Sequence, residues 1–196
     1  MRTRDVKKEK LIKKKAIELV VKEGLDGFSM QKLARAANVS PATLYIYYKD
    51  RDDLILSTSL DIANHLFEAS LEGFDPAMNF AEGLKIQWQN RLAFFLKYPN
   101  EMEFFEHIRY SIFYDKVRKM LGKRFGEVMG TFMHNAIERK ELMRLPFEVY
   151  WSVAFAPLYQ LIKFHMQGKS YKNDEFQLTD EMMMQTLELV LKALKA

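Results

Sequence analysis

Cysteine is absent from the 196 residues, which excludes a disulfide framework and any thiolate metal site and suits a reducing compartment. Only four histidines are present, so a metal centre has few nitrogen donors to draw on. No stretch reaches the roughly 18 consecutive apolar residues of a membrane span. The basic N-terminus runs straight into a charged segment, without the apolar core of a secretory leader. The expectation is a cytoplasmic protein with no membrane partner. Glycine and proline are also scarce, at 8 and 5 residues, and they form neither a glycine-rich phosphate loop nor a nucleophile elbow. Glu103 and His107, four residues apart, come nearest to a two-ligand metal face or an acid/base pair. With no third partner at motif spacing they read as a surface ion pair. No cofactor, metal or catalytic residue is expected, and the chain does not read as an enzyme.

What is present is ordinary in amount and uneven in placement. Hydrophobic residues make up 48% and charged residues 29%, the composition of a globular protein long enough to bury a sizeable core. Residues 1–50 hold 12 basic and 6 acidic side chains, a net +6, whereas the remaining 18 basic and 20 acidic residues net −2. A basic head on a slightly acidic body points to a polyanion as partner of the head.

The hydrophobic period is helical throughout, and no strand is expected. Leu11, Ile12, Ala16, Leu19 and Val20 recur at three- and four-residue spacing in a first helix from Val6 to Glu23, stopped by Gly24 and Gly27. Ser29 caps a second helix to about Ala37, and Ser40 with Pro41 opens a third. Asp50 caps a longer helix from Arg51 to about Glu72. Asp75 and Pro76 open the next, to about Lys97, and Asn100 with Glu103 forms a capping box for another, to about Phe113. Helices over about 115–140, 146–167 and 180–195 complete nine. Pro157 should kink the second of these three or leave a carbonyl unpaired. Gly122, Gly126 and Gly130 make a smooth stripe for close approach of another helix. The last helix is apolar over a wide face (Met182, Met183, Thr186, Leu187, Val190, Leu191, Leu194), which predicts burial on two sides, one of them against a partner subunit.

Two short helices joined by a tight turn, with Leu33, Ala34, Ala37, Val39, Leu44 and Tyr48 spaced for a small shared core, define a helix-turn-helix. Asn38 falls where a left-handed backbone is needed. In such an arrangement the second helix can enter the major groove with its first residues against base edges. Asn38-Val39-Ser40, Thr43-Leu44-Tyr45, Tyr47-Tyr48 and Arg51-Asp52-Asp53-Leu54 resemble the signature of the TetR/AcrR family of bacterial transcriptional regulators over about residues 6–60. Pro41-Ala42, Asn38, Tyr47 and Arg51 depart from its commoner residues, which bears on base preference.

The resemblance implies an all-α fold, with a helix-turn-helix DNA-binding domain at 1–50 and a helical effector-binding and dimerisation domain at 51–196. It also implies a homodimer on double-stranded operator DNA, most often a repressor, released by a small-molecule effector. Thr43 and Tyr47 are the candidates for base edges, with Ala42 short enough to permit close approach and Pro41 beside it in the DNA-binding set. Ser29, Lys32, Ser40, Tyr45, Lys49 and Arg51 are candidates for phosphates. The body carries 22 of the 26 aromatics, and 12 methionines are spread along the chain, an inventory suited to a pliable apolar pocket. Trp88, Phe95, Phe104, His107, Tyr110, Phe132, Trp151, Phe155 and Tyr159 are its candidate lining. The alternative is a helical interaction protein of the same fold that does not bind an operator.

Overall fold

A computed structural model describes residues 5–196 and separates them into two compact units. The first takes the chain up to His65 together with Tyr98–Gly122. Its first helix, α1 (Val6–Gly27), is opened by the Asp5 carboxylate, which accepts the backbone N–H groups of Lys7 and Lys8. Gly24 breaks the helical geometry as expected (φ 72°, ψ 173°), yet the chain makes one further turn and stops at Gly27. In α2 (Met30–Ala36) the Ser29 hydroxyl accepts the Lys32 N–H, and in α3 (Pro41–Tyr47) the Ser40 hydroxyl accepts the Thr43 N–H. Between them Asn38 takes φ 53°, the left-handed turn foreseen for it. The fourth helix, α4 (Arg51–Ser70), starts on Asp50, whose carboxylate accepts the Asp53 N–H at 2.9 Å.

This unit extends well beyond residue 50. Ile12, Ala16 and Val20 form one buried stripe on α1, and the three N-terminal helices alone leave part of it uncovered. Leu54, Ile55 and Ile62 from α4, with Phe104 and Ile108 from a later helix, complete the core. Residues 1–4 of the expected 1–50 domain lie outside the described residues.

The second unit comprises Leu66–Lys97 and Lys123–Ala196. Its helix α5 (Phe80–Lys97) begins four residues later than Asp75 and Pro76 imply. Asp75 caps only a turn, through the Ala77 N–H, while Asn79 and Glu82 cap the helix reciprocally at 2.8 and 3.0 Å. In the first unit, α6 (Pro99–Arg109) begins with Pro99 in its first turn and without a side-chain cap, so the expected Asn100–Glu103 box does not form. The next helix, α7 (Tyr114–Glu138), belongs to the first unit up to Gly122 and to the second from Lys123.

The 146–167 segment breaks rather than kinks. It becomes α8 (Phe147–Ala154) and α9 (Ala156–Gln167), parted at Phe155, and Pro157 sits harmlessly in the first turn of α9. The break leaves the Ala154 carbonyl to accept the buried Trp88 indole N–H at 2.8 Å. The final helix, α10 (Asp180–Leu194), is capped by Thr179 and packs against α8 and α9 through Met183, Leu187, Val190 and Leu194. The described residues therefore form ten helical segments, or nine with α8 and α9 counted as one, and no strand. No helix among them is long and apolar enough to cross a membrane.

The glycine stripe is a correction. A Cβ placed on Gly122, Gly126 or Gly130 meets nothing within 4 Å among the described residues, so no described helix of this chain comes close to the stripe. The close approach lies at Gly83, where a Cβ would stand 2.6 Å from the Phe132 ring.

Candidate nucleic-acid interface and a buried arginine

The third helix is seven residues long, so its faces are set by where it starts. With Pro41 in the first turn, Leu44 and Tyr47 fall on the buried side, whereas Ala42, Tyr45 (56% exposed) and Ile46 (44% exposed) face solvent. Thr43 is half-buried, its hydroxyl 2.9 Å from that of Ser40. Tyr47 corrects the expectation of a base-reading side chain. It is 6% exposed, and its hydroxyl accepts the Asp5 N–H at 3.1 Å, tying α3 to the start of α1. Ile46 was not foreseen; it stands four residues after Ala42 on the outward side, where an apolar side chain can meet a thymine methyl.

Several of the expected phosphate contacts are engaged within the protein. Arg51 donates to the Leu25 carbonyl at 2.5 Å and to the Phe28 carbonyl at 3.4 Å, and its guanidinium lies 5.9 Å from the Phe28 ring centre. It closes the end of α1, where carbonyls lack helical partners. Lys32 donates to Glu23 at 2.6 Å and to the Gly27 carbonyl at 2.8 Å. That hydrogen bond holds the Glu23 carboxyl below the usual carboxylate range. Ser29 and Ser40 serve as helix caps. Pro41 and Lys49 are exposed.

The nine candidate effector residues divide between the two units. Phe104 is fully buried in the core of the first unit, and His107 and Tyr110 lie on the same helix or just after it, Tyr110 almost fully exposed. They belong to a different unit from the other six because α6 packs on α1. In the second unit, Trp88, Phe132 and Phe155 are buried, and Phe95, Trp151 and Tyr159 pack against them. Trp151 and Phe155 have ring centres 4.4 Å apart, and Phe95 lies 5.7 Å from Tyr159.

Among these rings stands a residue that the sequence reading passed over. Arg91 on α5 is 4% exposed, with its guanidinium 4.8 Å from the Phe155 ring centre and 5.7 Å from that of Trp151. Its Nη1 donates to the Tyr159 hydroxyl at 3.1 Å, whereas Nε finds no acceptor among the described residues. Gln87, one turn earlier, is fully buried with both amide atoms unpaired, and the buried Tyr150 hydroxyl is unpaired as well. Burial pushes the Tyr150 phenol up, against a smaller opposing effect of the Arg91 charge. The available signal was Leu84, Gln87, Trp88, Arg91 and Phe95, where two polar residues interrupt an apolar helical face. Among the described residues no three His, Asp or Glu side chains are grouped to hold a metal ion.

A capped, tightly turned pair of short helices near the start of a chain whose described residues are otherwise helices and loops defines a helix-turn-helix protein. Residues 12–58 match the family described as bacterial regulatory proteins, tetR family. An uncharacterised HTH-type transcriptional regulator of Haemophilus influenzae is 37% identical over 82 residues, which cover 41% of this chain and 43% of that protein. A TetR-family transcription regulator from Marinobacter aquaeolei has the same fold at a TM-score of 0.86 with 26% identity, over 100% of this chain and 99% of the other. The fold also matches FadR of Bacillus subtilis in complex with stearoyl-CoA, at a TM-score of 0.74 and 17% identity over 94% and 98% of the two chains. The N-terminal segment is thus similar to the tetR family of bacterial regulatory proteins, and the chain as a whole has the fold of a TetR-family transcription regulator.

Proposed function

We propose that the protein is a cytoplasmic repressor, not an enzyme, that binds operator DNA as a homodimer and leaves it when a small, largely apolar effector binds. DNA reading lies within residues 1–50; effector binding and pairing lie within 51–196. The observation that carries this reading is the outward face of α3, where Ala42, Tyr45 and Ile46 are exposed on a helix that is capped by Ser40 and anchored through buried Leu44 and Tyr47. Thr43, Tyr45 and Ile46 meet base edges and thymine methyls; Lys49 and the α1 lysines meet phosphates. Pairing through α9 and α10 is supported by Met182, Thr186, Leu189 and Ala193, which line an outer face of α10 and include Leu189 at 61% exposure. Effector binding within the second unit is supported by its aromatic core and by the acyl-CoA ligand of the Bacillus regulator of this fold.

A gel shift against the DNA flanking its own gene tests the proposal. A shift that weakens steeply with salt and is abolished by Tyr45→Ala with Lys49→Ala is expected. A folded protein that binds no such DNA at low salt is instead an interaction protein of the same fold.

A further inference from the structure

A guanidinium withdrawn from water needs compensation. Buried charges are ordinarily paired with a charge of opposite sign, because the protein interior solvates them poorly. Arg91 is buried, no carboxylate lies within salt-bridge distance of it among the described residues, and its visible partners are one phenol and two aromatic faces. Rings attract a cation, but they leave the Nε–H without an acceptor. Around it, the Gln87 amide and the Tyr150 hydroxyl are also buried without partners, and each such group ordinarily finds one. Three unfilled donors in one aromatic core, one of them charged, match a planar anion. The fork of a guanidinium suits the two oxygens of a carboxylate, and Gln87, one turn before Arg91, and Tyr150, whose phenol feels the Arg91 charge, hold the further donors without partners. The phenol stays protonated, and so a donor, because burial raises its pKa.

We propose that this cluster is the recognition point for the carboxylate of a small organic acid whose apolar body lies among Trp88, Trp151 and Phe155. The inference rests on the effector reading above and names the class of effector. Trp151 and Tyr159 are only half-buried, so the cluster reaches the surface between them, beside the break between α8 and α9. The helix break matters because the chain there carries no continuous hydrogen-bond ladder to resist parting.

The test uses the full-length protein and two matched pairs, octanoate against octanamide and phenylacetate against phenylacetamide, followed by tryptophan fluorescence and thermal shift. At least one acid should bind saturably while its amide binds on the order of tenfold to a hundredfold more weakly, the size of a lost charge-assisted hydrogen bond. Tyr150→Phe, which keeps the ring and removes only the unpaired hydroxyl, should weaken the acid by about tenfold and leave the melting temperature of the free protein unchanged or higher. Arg91→Met should remove the preference for the acid over its amide. Acids and amides binding alike, no saturable binding by either acid, or acid binding indifferent to Tyr150→Phe would each overturn the proposal. Operator binding measured in the same samples keeps the two readings apart. An acid that binds through Arg91 without changing operator affinity preserves the site and removes its role as effector.

Discussion

Glu141 connects two stretches of the second unit through single atoms. Its carboxylate accepts the Phe80 N–H at 2.7 Å and the Arg139 Nε–H at 3.0 Å, while Arg139 also donates to the carbonyls of Ala77 and Met78. The Arg139 hydrogen bond, followed by that of Phe80, holds this carboxyl below its usual range against the opposing effect of burial. A depressed carboxylate contributes stability that is complete above the unfolded value, ~4.3, and is lost as pH falls through the folded one. Glu141→Gln should therefore cost about 1–2 kcal/mol at neutral pH and flatten the decline of melting temperature below about pH 4; thermal melts over a pH series check both. In the first unit, Tyr47→Phe removes only the hydroxyl that accepts from Asp5. It should lower stability by about 0.5–1.5 kcal/mol and leave the ranking of operator variants unchanged, as read by competition gel shift. A changed ranking would return Tyr47 to the reading face.

Helices in this protein respond to glycine according to what lies beside it. Gly83 stands against the buried Phe132 ring, and Gly126 faces open space. Alanine favours a helix over glycine by about 1 kcal/mol, so Gly126→Ala should stabilise by up to that amount. Gly83→Ala should instead destabilise by about 1–3 kcal/mol, because the ring is packed on all sides and must move. Denaturant melts of the two variants should thus shift in opposite directions. In the turn between α2 and α3, Asn38→Val should cost about 1–2 kcal/mol, since a branched side chain resists the positive φ that asparagine tolerates.

At the scale of the whole molecule, the proposed repression would rest on pairing two reading helices at a set separation, which calls for a near-palindromic operator. Leu189 is well exposed on α10, so Leu189→Glu should fold normally as judged by circular dichroism. In a homodimer built on that face, the buried charge should convert the protein to a monomer at micromolar concentration and weaken operator binding severely, because the two half-sites are no longer engaged together. Light scattering on the native protein and the variant checks this, and a native monomer would refute the pairing.

What the linear order of residues settled was whatever depends on neighbours a few positions apart. The caps at Ser29, Ser40, Asp50 and Thr179 and the left-handed Asn38 are such features. Each is a contact between a side chain and a backbone group two or three residues away, or a local backbone preference, and so could be read directly. The basic head and the helix-turn-helix spacing were legible for the same reason. The partners of Arg51 lie 26 and 23 residues back, those of Tyr47 42 residues back, and Tyr159 is 68 residues from Arg91. Periodicity could say that Phe104 and Phe155 were buried, but not that they were buried in different cores. It also could not say that a charged residue on an apolar face, Arg91, would be enclosed by rings from α8 and α9. Local hydrogen bonds and dihedral preferences are encoded by adjacency, whereas burial and pairing between distant segments exist only once the helices pack.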